Sequence, residues 1–223
     1  MLTIKREISI PIQTADIAGA YAYIYVHLGD IRKSEDKLQE AINCYGESKK
    51  IITCFKESSY SAKMQTLSGL DYIEALILYK TGEIHKVLGE NLTSISYFRQ
   101  SIEIVKQHDS IDALELYLTL CLALGDMFKT TQAFSIAKEW YQSAQSGAEK
   151  LLTQSPSVAN KEMLAAIYFR LYTVSQTDDR LIFLDSALTL YEDLYKQNPL
   201  QQYLKQLIVL SAIRKTLFNN GQQ

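Results

Sequence analysis

One five-residue phrase occurs three times along the sequence. "GDIRK" begins at Gly29, "GEIHK" at Gly82 and "GDMFK" at Gly125. Each copy has a glycine, an acidic residue, Ile or Met, a variable residue and then lysine. Internal repetition of this kind constrains a fold more than any other sequence feature, because it predicts one structural unit that is built several times.

When the three glycines are aligned, small and aromatic residues also recur at fixed distances after them. A small residue stands twelve positions after each glycine, an aromatic residue four positions later, and a second small residue three positions after that. These residues are Ala41, Tyr45 and Ser48; Ser94, Phe98 and Ser101; and Ala137, Tyr141 and Ala144. Small residues let two helices approach closely, and each copy therefore predicts a pair of amphipathic helices joined by a turn. Such a pair is too short to bury its apolar stripe alone, so several pairs are expected to stack.

Composition supports a helical chain. The 223 residues include only 9 Gly and 3 Pro, too few for a protein rich in β-turns. Apolar periodicity predicts helices at about 14–33, 35–56, 60–88, 90–107, 110–129, 131–153, 158–178, 180–197 and 200–218. Residues 1–13 are predicted to form an extended arm, 14–218 a single helical domain, and 219–223 a disordered tail.

The pattern resembles the tetratricopeptide repeat (TPR) family, whose units carry Leu-Gly, an aromatic residue, a small residue, a second aromatic residue and another small residue. A fourth unit keeps the later half of this pattern in Ala187, Tyr191 and Leu194, and has Ser175 in place of the glycine. The glycines at 29, 82 and 125 are 53 and 43 residues apart, which points to a longer-period member. The resemblance implies an all-α, right-handed α-solenoid of about four TPR-like helix pairs with a C-terminal capping helix.

The resemblance also implies a binding groove, because the first helix of each TPR pair lines the concave surface. Carried over position by position, the groove residues are Tyr23, Val26, Asp30, Lys33, Leu76, Tyr79, Glu83, Lys86, Thr119, Leu122, Asp126, Lys129, Phe169, Tyr172 and Gln176. Apolar anchors with fixed charges suit a peptide or a partner helix. The alternative is that each acid pairs only with the lysine three residues later on its own helix. A clamp for C-terminal carboxylates is disfavoured, since acids stand where asparagines would be needed.

Several other classes of function lack support. The formal net charge of −2 gives no basic field for nucleic acid or an anionic membrane. His27, His85 and His108 do not have metal-ligand spacing, and no nucleophile or phosphate-binding motif occurs. We therefore expect no metal, no cofactor and no enzymatic activity. The three cysteines fit buried thiols in a reducing compartment, and no signal peptide or membrane span is expected, so the predicted location is cytoplasmic.

These observations predict a non-enzymatic protein–protein interaction module, an adaptor or scaffold that binds a peptide or a partner helix in its concave groove. Two alternatives stay open. One is a TPR-type sensor or regulatory domain that responds to a small peptide. The other is a structural homo-oligomer, of which a homodimer is the simplest form. The identity of the partner is not encoded in any motif of the chain.

Overall fold

The computed structural model describes residues 14–58, 68–176 and 178–220. Within these residues the backbone forms nine α-helices and no β-strand. In chain order the helices are α1 (Ala15–Ser34), α2 (Leu38–Lys56), α3 (Ser68–Val87), α4 (Asn91–Val105), α5 (Ile111–Thr130), α6 (Phe134–Gln154), α7 (Val158–Val174), α8 (Asp178–Gln197) and α9 (Gln201–Asn220).

Each predicted helix is present in the structure, and most ends agree within a few residues. α7 ends at Val174 rather than at the predicted 178, because Ser175 has extended backbone (φ −85°, ψ 151°). α9 continues to Asn220, so residues 219 and 220 are helical and not part of a disordered tail as predicted. The predicted arm 1–13, the predicted start of the third helix within 59–67, and tail residues 221–223 lie outside the described residues.

The chain forms two compact units, Met1–Val105 and Lys106–Gln223. In the first unit α1 packs against α2 and α3 against α4, and α3 also contacts α1 and α2. Its core includes Ala22, Val26, Tyr45 and Ile77. Because the first helix of the second pair packs against both helices of the first pair, this unit has a helical-repeat architecture.

In the second unit α5 packs against α6 and α7 against α8, while α6 also contacts α7. α9 lies against α8 and buries Leu210 beside Leu184 and Leu188, and its predicted capping role stays a prediction. The prediction of one continuous domain over residues 14–218 stays a prediction.

The first helix of each of the first three pairs ends in the same turn. The residue seven positions after the repeated glycine has a left-handed backbone: φ is 60° at Asp36, 78° at Gly89 and 60° at Gln132. Its N–H donates to the carbonyl of the lysine that ends the repeated phrase (the phrase lysine) at 3.0–3.1 Å. The N–H of the following residue donates to the carbonyl of the residue before the phrase lysine at 2.9 Å. This is the Schellman arrangement that terminates helices. The last four residues of the phrase are therefore in the final turns of the helix, before its cap.

The repeated glycine lies beneath the aromatic ring of the second helix. A Cβ added at these glycines would come within 2.3–2.7 Å of a ring carbon, far inside van der Waals contact. The pairs are Gly29 with Tyr45, Gly82 with Phe98, and Gly125 with Tyr141. All three rings are fully buried. The prediction that the glycine is a helix-packing contact is confirmed.

The predicted small residues close the same interface. Ala41, Ser94 and Ala137 are fully buried. The Ser48 hydroxyl donates to the carbonyl of Ala22 on the first helix at 2.7 Å, and the hydroxyl of Ser101 donates to the carbonyl of Ala75 at 2.7 Å. The fourth pair departs from this pattern. Its Tyr191 is only half-buried, since Ser175 lies beyond the end of α7 and provides no helical glycine beneath the ring.

Candidate functional site

The acid of the first phrase joins three helices. Asp30 lies on α1, and its Oδ1 accepts a hydrogen bond from the hydroxyl of Tyr45 on α2 at 2.7 Å. The Lys80 ammonium on α3 donates to both oxygens of Asp30 at 2.8 Å. The carboxylate is therefore held by its own helix pair and by the next one, and is not paired with Lys33.

The acid of the third phrase has an equivalent arrangement in the second unit. Asp126 on α5 accepts a hydrogen bond from the Tyr141 hydroxyl on α6 at 2.5 Å. Arg170 on α7 donates its Nε–H to the same carboxylate oxygen at 3.3 Å. A tyrosine of the second helix and a cation from the next pair again meet at one carboxylate.

The second phrase differs, because its aromatic partner has no hydroxyl. Phe98 occupies the ring position above Gly82, and the acid is Glu83 rather than Asp. Glu83 lies 3.5 Å from the ammonium of Lys86, three residues later on α3. Among the ion pairs of the described residues, this is the one phrase in which the acid pairs with the lysine three residues later. That pairing is the alternative to ligand binding that the sequence raised.

The hydroxyls of Tyr45 and Tyr141 are fixed as neutral donors. Burial, and then the hydrogen bond to Asp30, raise the pKa of Tyr45 well above the ordinary value of a phenol. Burial and the hydrogen bond to Asp126 raise the pKa of Tyr141 in the same way. Each tyrosine therefore keeps the proton that its carboxylate accepts, and each aspartate has its orientation set by the core.

The phrase lysine lies in the last turn of each first helix, where the negative end of the helix dipole favours a cation. Lys33 and Lys129 are half-buried, and Lys86 is exposed. Within the described part of the chain, the ammonium groups of Lys33 and Lys129 form no ion pair or hydrogen bond. These two cations are placed by the fold at equivalent positions in the two units.

The predicted groove residues do not all reach the surface. In the first unit Tyr23, Leu76 and Tyr79 are half-buried, and Tyr23 stacks on His27 with ring centroids 6.0 Å apart. Val26 is only 1% exposed and packs in the core. Its assignment to the groove is therefore wrong, because its side chain points between α1 and its neighbours rather than to solvent.

In the second unit Thr119 and Gln176 are exposed, while Leu122 and Phe169 are half-buried. Tyr172 is 8% exposed, so it offers little surface. Its ring stacks against Phe169 with centroids 5.7 Å apart and lies 4.7 Å from the guanidinium carbon of Arg180. Tyr172 thus supports Phe169 rather than forming an anchor of its own.

The residues that sequence reasoning missed are the cations Lys80 and Arg170. Lys80 stands two residues before Gly82, and Arg170 stands five before Ser175, the residue that replaces the glycine in the fourth unit. Because the two cations occupy different positions in the repeat, alignment of the units carries no signal for them.

Two further observations concern metal ligands and membrane-spanning helices in the described residues. No group of three or more His, Cys, Asp or Glu side chains is arranged there to hold a metal ion. In the same residues no helix has the length and apolar character needed to cross a membrane.

Comparisons with known proteins report only distant similarity. No protein-family model and no curated protein matches the sequence. The crystal structure of BtubC (BKLC) from P. vanneervenii is 13% identical, with a TM-score of 0.47 over 90% of this chain and 83% of that chain. The DHF79 filament is 13% identical, with a TM-score of 0.28 over 89% of this chain and 96% of that chain. The de novo designed helical repeat protein DHR64 is 10% identical, with a TM-score of 0.23 over 92% and 93% of the two chains.

Proposed function

We propose that this protein is a non-enzymatic protein–protein interaction module, an adaptor or scaffold that binds a peptide or a partner helix. In each unit the proposed binding surface is the side of the first helices on which the predicted groove residues lie, α1 and α3 in the first unit and α5 and α7 in the second. The TPR resemblance supports this choice of face. The observation that carries the proposal is the recurrence, in both units, of a core-anchored aspartate beside half-buried aromatic and aliphatic side chains.

The arrangement reduces the entropic cost of binding. Asp30 and Asp126 are already held by a tyrosine and a cation, so neither carboxylate has to be ordered when a partner arrives. Half-buried side chains such as Tyr79 and Phe169 have most of their rotamer freedom removed by packing, which suits them as anchors. A preorganised surface of this kind provides specificity through fixed charges and affinity through apolar contact.

The charge of the surface indicates the chemistry of the partner. The two aspartates are neutralised by Lys80 and Arg170, which leaves Lys33 and Lys129 as the cations available beside them. In each unit, a partner segment with apolar side chains and an acidic side chain fits this pattern. Arg or Lys at the acidic positions of the segment would be repelled.

Site-specific photo-crosslinking in the host cell tests the proposed face. A photoreactive amino acid is placed singly at Tyr79 or Phe169, and as controls at the exposed positions Gln100 and Gln142 on the second helices α4 and α6. We expect a crosslinked partner from the first two positions and much less of it from the controls. Equal crosslinking from all four positions would contradict the assignment of the face.

A charge-reversal pair tests the role of the lysines. Lys33→Glu is compared with Lys49→Glu, which makes the same change at a half-buried lysine on the second helix α2. With the partner identified by crosslinking, we expect Lys33→Glu to weaken its binding about tenfold, as a rim charge next to an anchor does. Lys49→Glu should leave the affinity unchanged. A loss of the same size in both variants would show that overall charge, and not this face, controls binding.

A further inference from the structure

A continuous apolar stripe runs along α1 on the side opposite its buried face. Ile17, Tyr21, Ile24, Leu28 and Ile31 follow one another at intervals of four, three, four and three residues. This is the heptad spacing of a helix that packs against another helix along its whole length. Ile17, Ile24 and Ile31 are 39%, 60% and 53% exposed, and Tyr21 and Leu28 are half-buried. These five residues are called the α1 stripe.

The equivalent stripe of α3, the first helix of the next pair, is covered by other helices. Counted from the repeated glycine, Ile17, Ile24 and Ile31 correspond to Leu70, Ile77 and Ile84 on α3. Those three side chains are at most 2% exposed, because α3 packs there against the preceding pair, α1 and α2. The α1 stripe is thus a stacking surface of the repeat that none of the described helices of its unit covers.

The chemistry of the stripe is not that of a solvated helix face. A helix that faces water normally carries charged residues on its outer side. Between Asp16 and Arg32 the one acidic or basic residue besides His27 is Asp30, and its carboxylate is directed to Tyr45 and Lys80. The three exposed isoleucines form one row on the helix, and a contiguous exposed apolar patch marks an interaction surface.

We propose that the α1 stripe is a docking surface for the same stripe of a second copy of this chain, with the two α1 helices antiparallel. The stripe is nearly self-complementary about Ile24, since Ile17 and Ile31 lie seven residues before and after it. A two-fold axis through Ile24 therefore places isoleucine against isoleucine along the seam, as an isologous interface requires.

Charge complementarity favours the antiparallel orientation. Asp16 is in the first turn of α1, and Arg32 and Lys33 are in its last turn, where Arg32 also pairs with Glu35 and Glu40. Antiparallel pairing brings the acidic end of one helix to the basic end of the other and opposes the two helix dipoles. Parallel pairing would bring like charges together at both ends.

The size of the surface sets the strength of the dimer. A helix of 20 residues is about 30 Å long, and a single pair of such helices buries roughly 1,000 Å², the lower end of stable interfaces. We therefore expect a reversible dimer with a Kd of about 1–100 μM rather than an obligate one. The apolar seam of this dimer contains none of the proposed anchors or aspartates of the peptide-binding face, and Lys33 is the one charge that both proposals use. Ile24→Asp leaves Lys33 unchanged, so the dimer and the peptide-binding function can fail separately.

Sedimentation equilibrium of the full chain over about 1–200 μM tests the proposal. We expect a monomer–dimer equilibrium that Ile24→Asp weakens at least 100-fold, because the two-fold axis places two carboxylates together in an apolar seam. Ile182→Asp is the matched control. Ile182 on α8 is 63% exposed, a fraction similar to the 60% of Ile24, and its variant should dimerise like the wild type. Circular dichroism verifies that both variants remain folded.

Crosslinking tests the orientation. In a chain with Cys44 and Cys54 replaced by serine, mixed Ile17→Cys and Ile31→Cys proteins should form the 17–31 disulfide in preference to 17–17 or 31–31. The serine background must itself dimerise for this comparison.

Four results would overturn the proposal. They are a monomer at every concentration, a dimer that Ile24→Asp leaves intact, association that grows beyond two copies as a head-to-tail contact would, and a preference for the 17–17 and 31–31 crosslinks. A monomer whose Ile24→Asp variant exposes residues 1–13 to faster proteolysis would identify those residues as the occupant of the stripe instead.

Discussion

Replacing Gly29 with alanine should destabilise the first unit, although alanine is the better helix former. The new Cβ would lie 2.3 Å from Cε1 and 2.7 Å from Cδ1 of Tyr45, whereas carbon atoms in contact are about 3.5–4.0 Å apart. The ring has nowhere to move, because it is fully buried and its hydroxyl is bonded to Asp30. α1 and α2 must therefore separate, or the ring must leave its rotamer.

The magnitude follows from two opposing terms. Overpacking a well-packed core costs about 1–3 kcal/mol, and the fixed ring puts Gly29→Ala near the upper value. The higher helix propensity of alanine offsets about 1 kcal/mol of this. The net loss in the free energy of unfolding is about 2 kcal/mol, which corresponds to a fall of roughly 4–8 °C in Tm for a chain of this length.

The matched control lies in the same pair of helices. Gly46 is an exposed glycine inside α2, and no heavy atom lies within 4 Å of the Cβ that Gly46→Ala would add. That variant should gain up to about 1 kcal/mol. Urea unfolding followed by circular dichroism, with hydrogen exchange of α1 and α2 to localise the effect, measures both. A Gly29→Ala protein as stable as the wild type, or one that behaves like Gly46→Ala, would refute the conclusion that the Tyr45 ring packs directly on this glycine.

Two further perturbations test the turns and the buried tyrosines. Gln132→Gly should stabilise the second unit by roughly 0.5–1 kcal/mol in urea unfolding, because glycine adopts the left-handed backbone without the steric cost of a Cβ. Gly89→Gln at the equivalent position should lower the free energy of unfolding by about 1 kcal/mol. A loss of stability in both variants would show that the left-handed backbone is not the cause. The raised pKa values of Tyr45 and Tyr141 mean that the folded state holds their protons more tightly than the unfolded state does. Their contribution to stability is therefore complete below the unfolded pKa of about 10. Above that pH it falls by up to about 1.4 kcal/mol per tyrosine for each pH unit. Urea unfolding between pH 9 and 11 should show a shallower decline in the Tyr45→Phe, Tyr141→Phe double variant than in the wild type, and equal slopes would show that neither pKa is raised by folding.

The helix pairs could be predicted from the sequence because their determinants are local. The glycine, the small residues and the aromatic residue stand at fixed distances within one pair, and helix geometry converts those distances into a contact. The left-handed turn residue was less visible, since only Gly89 has the residue type that such a backbone favours most. At the same position Asp36 is a weaker signal, and Gln132 is none.

The partners of the two aspartates could not be predicted from the sequence. Lys80 and Arg170 come from the following helix pair, and the offset between pairs depends on how neighbouring helices pack. The unequal spacing of the units leaves that offset undetermined. Val26 was assigned to the wrong face for a similar reason. A position carried over from a family identifies a helix face only to within the width of one side chain, and that difference separates the groove from the core.

The fixed turn has a consequence for how this chain tolerates changes in length. From the glycine to the left-handed residue, and from that residue to the buried aromatic, the number of residues is the same in all three pairs. One added residue inside a pair would rotate the second helix by about 100° and carry its ring off the glycine. The unequal repeat lengths are therefore absorbed between pairs: Lys56 and Ser68 bound one connection, and Thr130 and Phe134 bound an invariant turn within a pair. An epitope tag, a protease site or a whole inserted domain belongs between pairs, where the chain has already varied in length, and never within them.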